Sequence, residues 1–283
     1  MKKIFVPLFV SLLLAGCATT QMSPETRNQY NQIQTALKSA PVAVLINPCL
    51  LTNELGKDLI LAEPSRLSSD KFLETFNQQL NQQGITIGKS AAPFICGLMP
   101  EEQMKKYDFQ ADSITKRAPI STYPLLNQTG STLTTEQQNA VLALNQFFVK
   151  YNSVELANLR NKSAPAALPE LDQATLDILK NWSASEYLFI INIDGLDASM
   201  GSKFAMGALS AGVTLATLGI GGGLVTAYMP QEGQQYTVRL FDLNKKQFIW
   251  TKSALLKGKV FSTKNHSLEA KNTLDPLFEL KIK

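Results

Sequence analysis

Residues 41–47 read Pro-Val-Ala-Val-Leu-Ile-Asn, and Val42 to Ile46 is an unbroken, branched apolar run. Side chains of a strand point alternately to the two faces of its sheet, so a run without a polar position has to be covered on both sides. That requirement fits a sheet with helices packed on it. The helix follows in the sequence: Ser68 or Ser69 is placed to cap the first amides, Asp70 suits the positive end of the helix dipole, and Gly84 closes it. Phe72, Phe76 and Leu80 share one face of that helix, a loop is expected from Asn47 to Pro64 ahead of it, and Ile85 to Gly88 reads as a short second strand. Strand, helix and strand within about 50 residues have the length of a crossover unit. The expected fold class is α/β in two or three layers: a mixed sheet with helices packed on it and a C-terminal β-hairpin.

The remaining elements fit that frame. Glu25 to Lys38 is a modest amphipathic helix with Tyr30, Ile33 and Leu37 on one side, ended by Pro41. Thr134-Thr135-Glu136-Gln137-Gln138 holds two overlapping capping boxes above a stripe of Val141, Leu144, Phe148 and Tyr151, which predicts a long helix. After the connector SAPAALPE, Leu171 to Trp182 reads as a helix and Tyr187 to Ile193 as a strand. Tyr236 to Leu243, a turn at NKKQ, and Phe248 to Leu256 form the hairpin.

The amino terminus gives an address. MKKIFVPLFVSLLLAGC carries two lysines, an apolar run from Ile4 to Leu14 too short to span a bilayer, and small residues closing on Cys17. Leu14-Ala15-Gly16-Cys17 resembles the lipobox of bacterial lipoproteins. That resemblance implies removal of residues 1–16, acyl chains on Cys17, and a lipidated tether over 17–24. Ala18 in place of Asp implies delivery to the outer membrane, periplasmic face, where several acyl chains anchor firmly without a membrane span. The remainder, 25–283, reads as a single periplasmic α/β domain with a helical insertion at about 100–182 and a Gly-rich apolar segment at 204–229.

In an oxidising compartment Cys49 and Cys96 are expected to form a disulfide, two separate buried thiols being the alternative. No metal site or cofactor is expected, because His266 is the chain's one histidine and no Cys-x-x-Cys spacing occurs. Asn-x-Ser/Thr matches at Asn127, Asn161, Asn181 and Asn265 mean nothing in a bacterial lipoprotein. Residues 17–238 carry 15 basic and 19 acidic side chains, whereas 239–283 carry 10 and 4, a net of +6. A basic end suits contact with anionic lipid or with acidic glycans of peptidoglycan, although lysines on exposed strands also simply deter aggregation. Nucleic acid is not a partner in such a compartment.

VAVLIN with its Ser-initiated helix, SASEYLFIINIDG, and VRLFDLNKKQFIWT resemble, in order, three pieces of the periplasmic α/β domain shared by the TolB amino-terminal domain, the curli-secretion lipoprotein and the lipoprotein activators of penicillin-binding proteins. The match covers about half the chain. The resemblance implies protein binding or ring assembly and carries no catalytic residues to transfer. The segment from Pro100 to Ala167 and the run at 207–229 depart from the plain domain.

GALSAGVTLATLGIGGGLVTAYM, residues 207–229, is uncharged and long enough to span a membrane. Gly219, Gly221, Gly222 and Gly223 break it, each costing a helix about 1 kcal/mol. Ala208, Gly212 and Ala216 form a small-residue stripe suited to close backbone packing within the domain or between protomers.

No active site announces itself. GIGGG lacks the spacing and the Lys-Ser/Thr of a phosphate loop. His266, with Ser262 and Ser267 nearby, lacks a local orienting carboxylate and reads as a surface residue. Asp194 and Asp197 have the types for acid–base work or cation binding, but NIDGLDAS reads as a turn at a strand end. The expectation is a non-enzymatic binding, scaffold or assembly factor of the cell envelope that contacts outer-membrane lipid through Cys17 and binds a protein partner or itself. The alternatives are a cell-envelope hydrolase with an unrecognised site and an oligomeric secretion or pore component.

Overall fold

β1 (Val42–Glu54) grows out of the apolar run and is the longest strand described. The computed structural model describes residues 24–54, 57–112, 116–127, 132–160, 166–198, 233–257 and 262–278. β6 (Tyr187–Ala198) lies parallel to β1, from Ala43 beside Leu188 to Asn53 beside Ala198. The other edge of β1 is shared: β3 (Ile87–Ala91) pairs parallel with Val42–Leu45, and β2 (Lys57–Leu61) pairs antiparallel with Leu51–Glu54. β4 (Asp108–Gln110) and β5 (Ala118–Pro119) extend the sheet beyond β2, and β7 (Gly233–Asp242) and β8 (Gln247–Lys257) extend it beyond β6. The molecule is an α/β fold on an eight-stranded mixed sheet.

Helices cover both faces, as the apolar run of β1 requires. Val42, Val44, Ile46 and Leu50 join Phe72, Phe76 and Leu80 of α2 (Ala62–Gln82), Leu37 of α1 (Pro24–Ser39), and Ala270, Leu274 and Leu277 of α6 (Thr263–Phe278). Ala43 and Leu45 point the other way, to Val141, Leu144 and Phe148 of α4 (Thr135–Arg160) and to Leu176 and Leu179 of α5 (Gln173–Ser183). Each fully buried large side chain contributes about 1.5–3 kcal/mol. Farther along that second face Cys49 and Leu51 pack with Ile95, Cys96, Met99, Ile120 and Leu125, and with Met104 of the short α3 (Glu101–Met104). The segment 100–182 thus contributes three helices and the two outermost strands at one end of the sheet, β4 and β5.

Side-chain caps open two helices, the first of them at the capping box read from the sequence. Thr134 and Gln137 exchange a capping box, the Gln137 amide donating to Thr134 Oγ1 and the Thr134 amide to Gln137 Oε1. Asp172 caps α5 by accepting from the Thr175 amide and hydroxyl at 2.8 and 2.6 Å. Gly84 has φ +76°, as a helix-closing glycine should.

Elsewhere the structure corrects the sequence reading. No loop runs from Asn47 to Pro64: β1 continues through Pro48, turns back as β2, and α2 begins at Ala62. Pro48 is tolerated because it falls in the gap between the β3 and β2 pairings on the shared edge of β1, where no neighbouring strand needs its missing N–H. The gap is sealed by other groups. Pro48 carbonyl accepts from the Cys96 amide at 2.9 Å, and the Leu50 amide donates to Ser65 Oγ at 3.0 Å. Pro64 occupies the first turn of α2, where its amide would have no intrahelical partner. Ser68 and Ser69 are not caps but buried residues inside the helix, their hydroxyls bonded to the carbonyls of Ser65 and Arg66. The helix α6 had no sequence expectation at all.

Among the described residues no helix is long and apolar enough to cross a membrane. The expected signal segment 1–16, Cys17, and the segment 204–229 with Ala208, Gly212, Ala216 and the GIGGG run lie outside the described residues.

Candidate functional site

The two apolar clusters on the α4 face are separated by a polar row running across four strands in register: Asn47 of β1, Asn192 of β6, Thr237 of β7 and Ser253 of β8. Asn47, Asn192 and Thr237 are buried. The next rung holds Cys49, Asp194 and Gln235, and the previous one Leu45, Ile190 and Arg239. Asn47 Oδ1 accepts from the Gly97 amide at 2.7 Å, Thr237 and Ser253 hydroxyls meet at 3.1 Å, and Gln235 donates to Thr237 at 3.4 Å. A cavity of about 10 Å³ lined by Leu45, Asn47, Phe94, Leu144, Asn145 and Ile190 lies against the row, room for one water and no substrate.

Asp194 and Asp197 were expected in a turn; both are in β6 instead, because the strand runs on to Ala198 beside β1 and β7. Asp194 is 3% exposed. Burial pushes its carboxyl well above the usual carboxylate range, and the Arg239 charge opposes that shift. Arg239 also lies over the Phe148 ring, with its Cζ 5.4 Å from the ring centroid. Asp197 is half-buried beside Thr52 on β1.

His266 was expected at the surface and is 1% exposed, because α6 turns it onto the opposite face of the sheet. Its Nδ1 lies 2.9 Å from the Tyr236 hydroxyl, which donates to Gln234 Oε1 at 2.7 Å. Tyr236 stacks on Phe72 at 5.8 Å, and burial pushes its phenol far up. Burial alone lowers His266 to about 4.

Cys49 and Cys96 are bonded, S–S 2.03 Å, joining β1 to the segment that also donates the Cys96 and Gly97 amides to Pro48 and Asn47.

These groups do not assemble a reaction centre. Asp194 and His266 occupy opposite faces of the sheet, so they cannot share a substrate. An open cleft of about 190 Å³ beside β3 brings Asp70 and Ser90 together, while the chain's one imidazole is in the core elsewhere. Among the described residues no three metal-ligating side chains converge. The sequence reading missed Asn47, Asn192, Arg239 and Tyr236. The signal for the polar row was present as polar residues two apart inside apolar strands, Asn192 with Asp194 and Gln235 with Thr237 and Arg239.

No protein-family model matches the chain, and no curated protein matches it. Among solved structures, the LpoB C-terminal domain from Salmonella enterica aligns over 82% of this chain and 95% of its own, at 8% sequence identity and a TM-score of 0.24. The α/β fold rests on the sheet and its packing.

Proposed function

We propose that this chain is a lipoprotein anchored through acyl chains on Cys17 to the periplasmic face of the outer membrane, where it acts as a non-enzymatic binding, scaffold or assembly factor of the cell envelope. The address rests on the order of lysines, short apolar run and Leu-Ala-Gly-Cys, with Ala18 after the cysteine. The Cys49–Cys96 bond supports an oxidising compartment. The observation that carries the binding reading is the placement of Asp194 and His266, the strongest acid–base candidates, in the core on opposite faces of the sheet.

The test is the mass of intact protein extracted from separated outer membranes in mild detergent, by size exclusion with light scattering, with Cys17→Ala as the unanchored control. The expected result is fatty-acid-labelled wild type in the outer-membrane fraction and unlabelled Cys17→Ala absent from it. A large ring would replace this reading with a pore or secretion component. Envelope-hydrolysing activity abolished by His266→Ala in a still folded protein would replace it with an enzyme.

A further inference from the structure

The two ends of the sheet are built differently. One ends in β5, two residues long and closed by Pro119. The other ends in β8, eleven residues without a proline. Every residue of β7 is buried, whereas among Gln247–Ala254 of β8 only Trp250 is. β8 carries one irregularity, at Ile249, where pairing passes from Phe248 beside Phe241 to Trp250 beside Leu240. From Trp250 to Lys257 it pairs regularly with β7, and among the described residues no strand pairs with its outer edge. Such an edge presents a row of backbone donors and acceptors to a further strand.

Both helical layers reach this edge. Along α4, Leu144 packs with Leu45 of β1 and Ile190 of β6, Phe147 reaches Phe241 of β7, and Tyr151 lies edge-on to Phe248 of β8 at 5.0 Å. The helix thus crosses the sheet toward β8 and continues to Arg160, and no described side chain beyond Tyr151 joins the apolar cluster. Tyr151 and Phe248 are half-buried, leaving aromatic surface at the edge. On the α6 side Trp250 is buried, and Lys252, in register with Val238, stands half-buried beyond it.

We propose that the outer edge of Trp250–Lys257 is a strand-addition site for an extended, acidic segment of a partner protein. The added strand hydrogen-bonds along β8, sets a carboxylate beside Lys252 on the α6 side, and lays an apolar side chain against Tyr151 and Phe248 on the α4 side. Lys252, the charged side chain described on this edge, chooses the occupant. An antiparallel second copy centred on Lys252 would set that lysine against itself, whereas an acidic strand neutralises it.

The proposal rests on the binding reading above, and two arms separate their failures. In the first, fluorescent peptides as long as Trp250–Lys257, alternating valine with glutamate or valine with lysine, are titrated into the purified chain. The glutamate peptide is expected to bind, Lys252→Glu to weaken it by about tenfold or more, and the same variant to take up the lysine peptide instead. No binding, or binding blind to charge, overturns the proposal. In the second arm a photo-crosslinking side chain replaces Thr251 on the exposed edge or Leu268 on the exposed side of α6, in anchored protein in cells. An adduct at position 251 with an acidic, extended segment of another protein, lost in Lys252→Glu, supports the proposal. An adduct there with a second copy or with this chain's own residues overturns it. Adducts at 268 alone overturn it and leave the binding reading standing, whereas no adduct at either position counts against both.

Discussion

The hydroxyl of Tyr236 on β7 lies 2.9 Å from Nδ1 of His266 on α6, a contact that pins the last helix to the sheet at the chain's one imidazole, buried in the core. Burial lowers its pKa from 6.5 to about 4, so between those values the unfolded chain takes up a proton that the folded chain refuses. The stability it preserves is present above pH 6.5 and lost as pH falls toward 4, by up to about 3 kcal/mol. Urea unfolding at pH 7 and pH 4.5 should show this loss in the wild type and a smaller one in His266→Gln. Equal losses in both would place the sensitivity elsewhere.

Asp194 titrates with the opposite sign. Its folded pKa is raised by burial, so the stability present below the ordinary value of 3.8 declines as pH rises toward the folded value. Asp194→Asn keeps the shape and removes the charge that has to be desolvated beside Arg239. The variant should gain stability relative to wild type between pH 4 and pH 7, measured as the difference in urea midpoints. A constant difference across that range would mean that Asp194 keeps an ordinary pKa.

What the sequence made legible was the apolar scaffold. Val42–Ile46, Tyr187–Ile193 and the hairpin are found because their apolar residues alternate or run unbroken, and no other element competes for that pattern. α6 stayed hidden because its buried face is built from His266, Glu269 and Thr273 as well as Ala270, Leu274 and Leu277, so hydropathy alone does not outline a stripe. The polar row was missed for a related reason: Asn192 and Asp194 resemble a strand terminus until the parallel pairing of β6 with β1 carries them into the interior. Pro48 misled in the same way, since only tertiary pairing reveals the gap in which its absent N–H costs nothing.

Gly97 tests how tightly the polar row is closed. A Cβ there would come within 2.6 Å of Asn145 Nδ2, 2.9 Å of Phe94 Cβ and 3.1 Å of Asn47 Oδ1. The Asn145 amide can turn aside, but Phe94 Cβ cannot move without its backbone. Gly97→Ala should destabilise by about 1–3 kcal/mol. Combining it with Asn145→Ala should cost less than the sum of the two single changes. Strict additivity in that double-mutant cycle would show that the methyl group and Asn145 do not compete for space.

The Cys49–Cys96 bond closes a loop of 47 residues between the central strand and the segment that seals its edge gap. Cross-linking a loop of that length stabilises by about 4 kcal/mol, mainly by restricting the unfolded chain. The native contacts of that segment do not all depend on sulfur: the Cys96 amide still reaches Pro48 and the Gly97 amide still reaches Asn47. The Cys49→Ala/Cys96→Ala double variant should therefore fold with a urea midpoint lowered accordingly. Its unfolding slope should rise, because a chain without the cross-link exposes more surface when it unfolds. Alkylating wild type that has been unfolded without reductant should label neither Cys49 nor Cys96. Labelling of both would show two separate thiols and remove the strongest structural support for folding in an oxidising compartment.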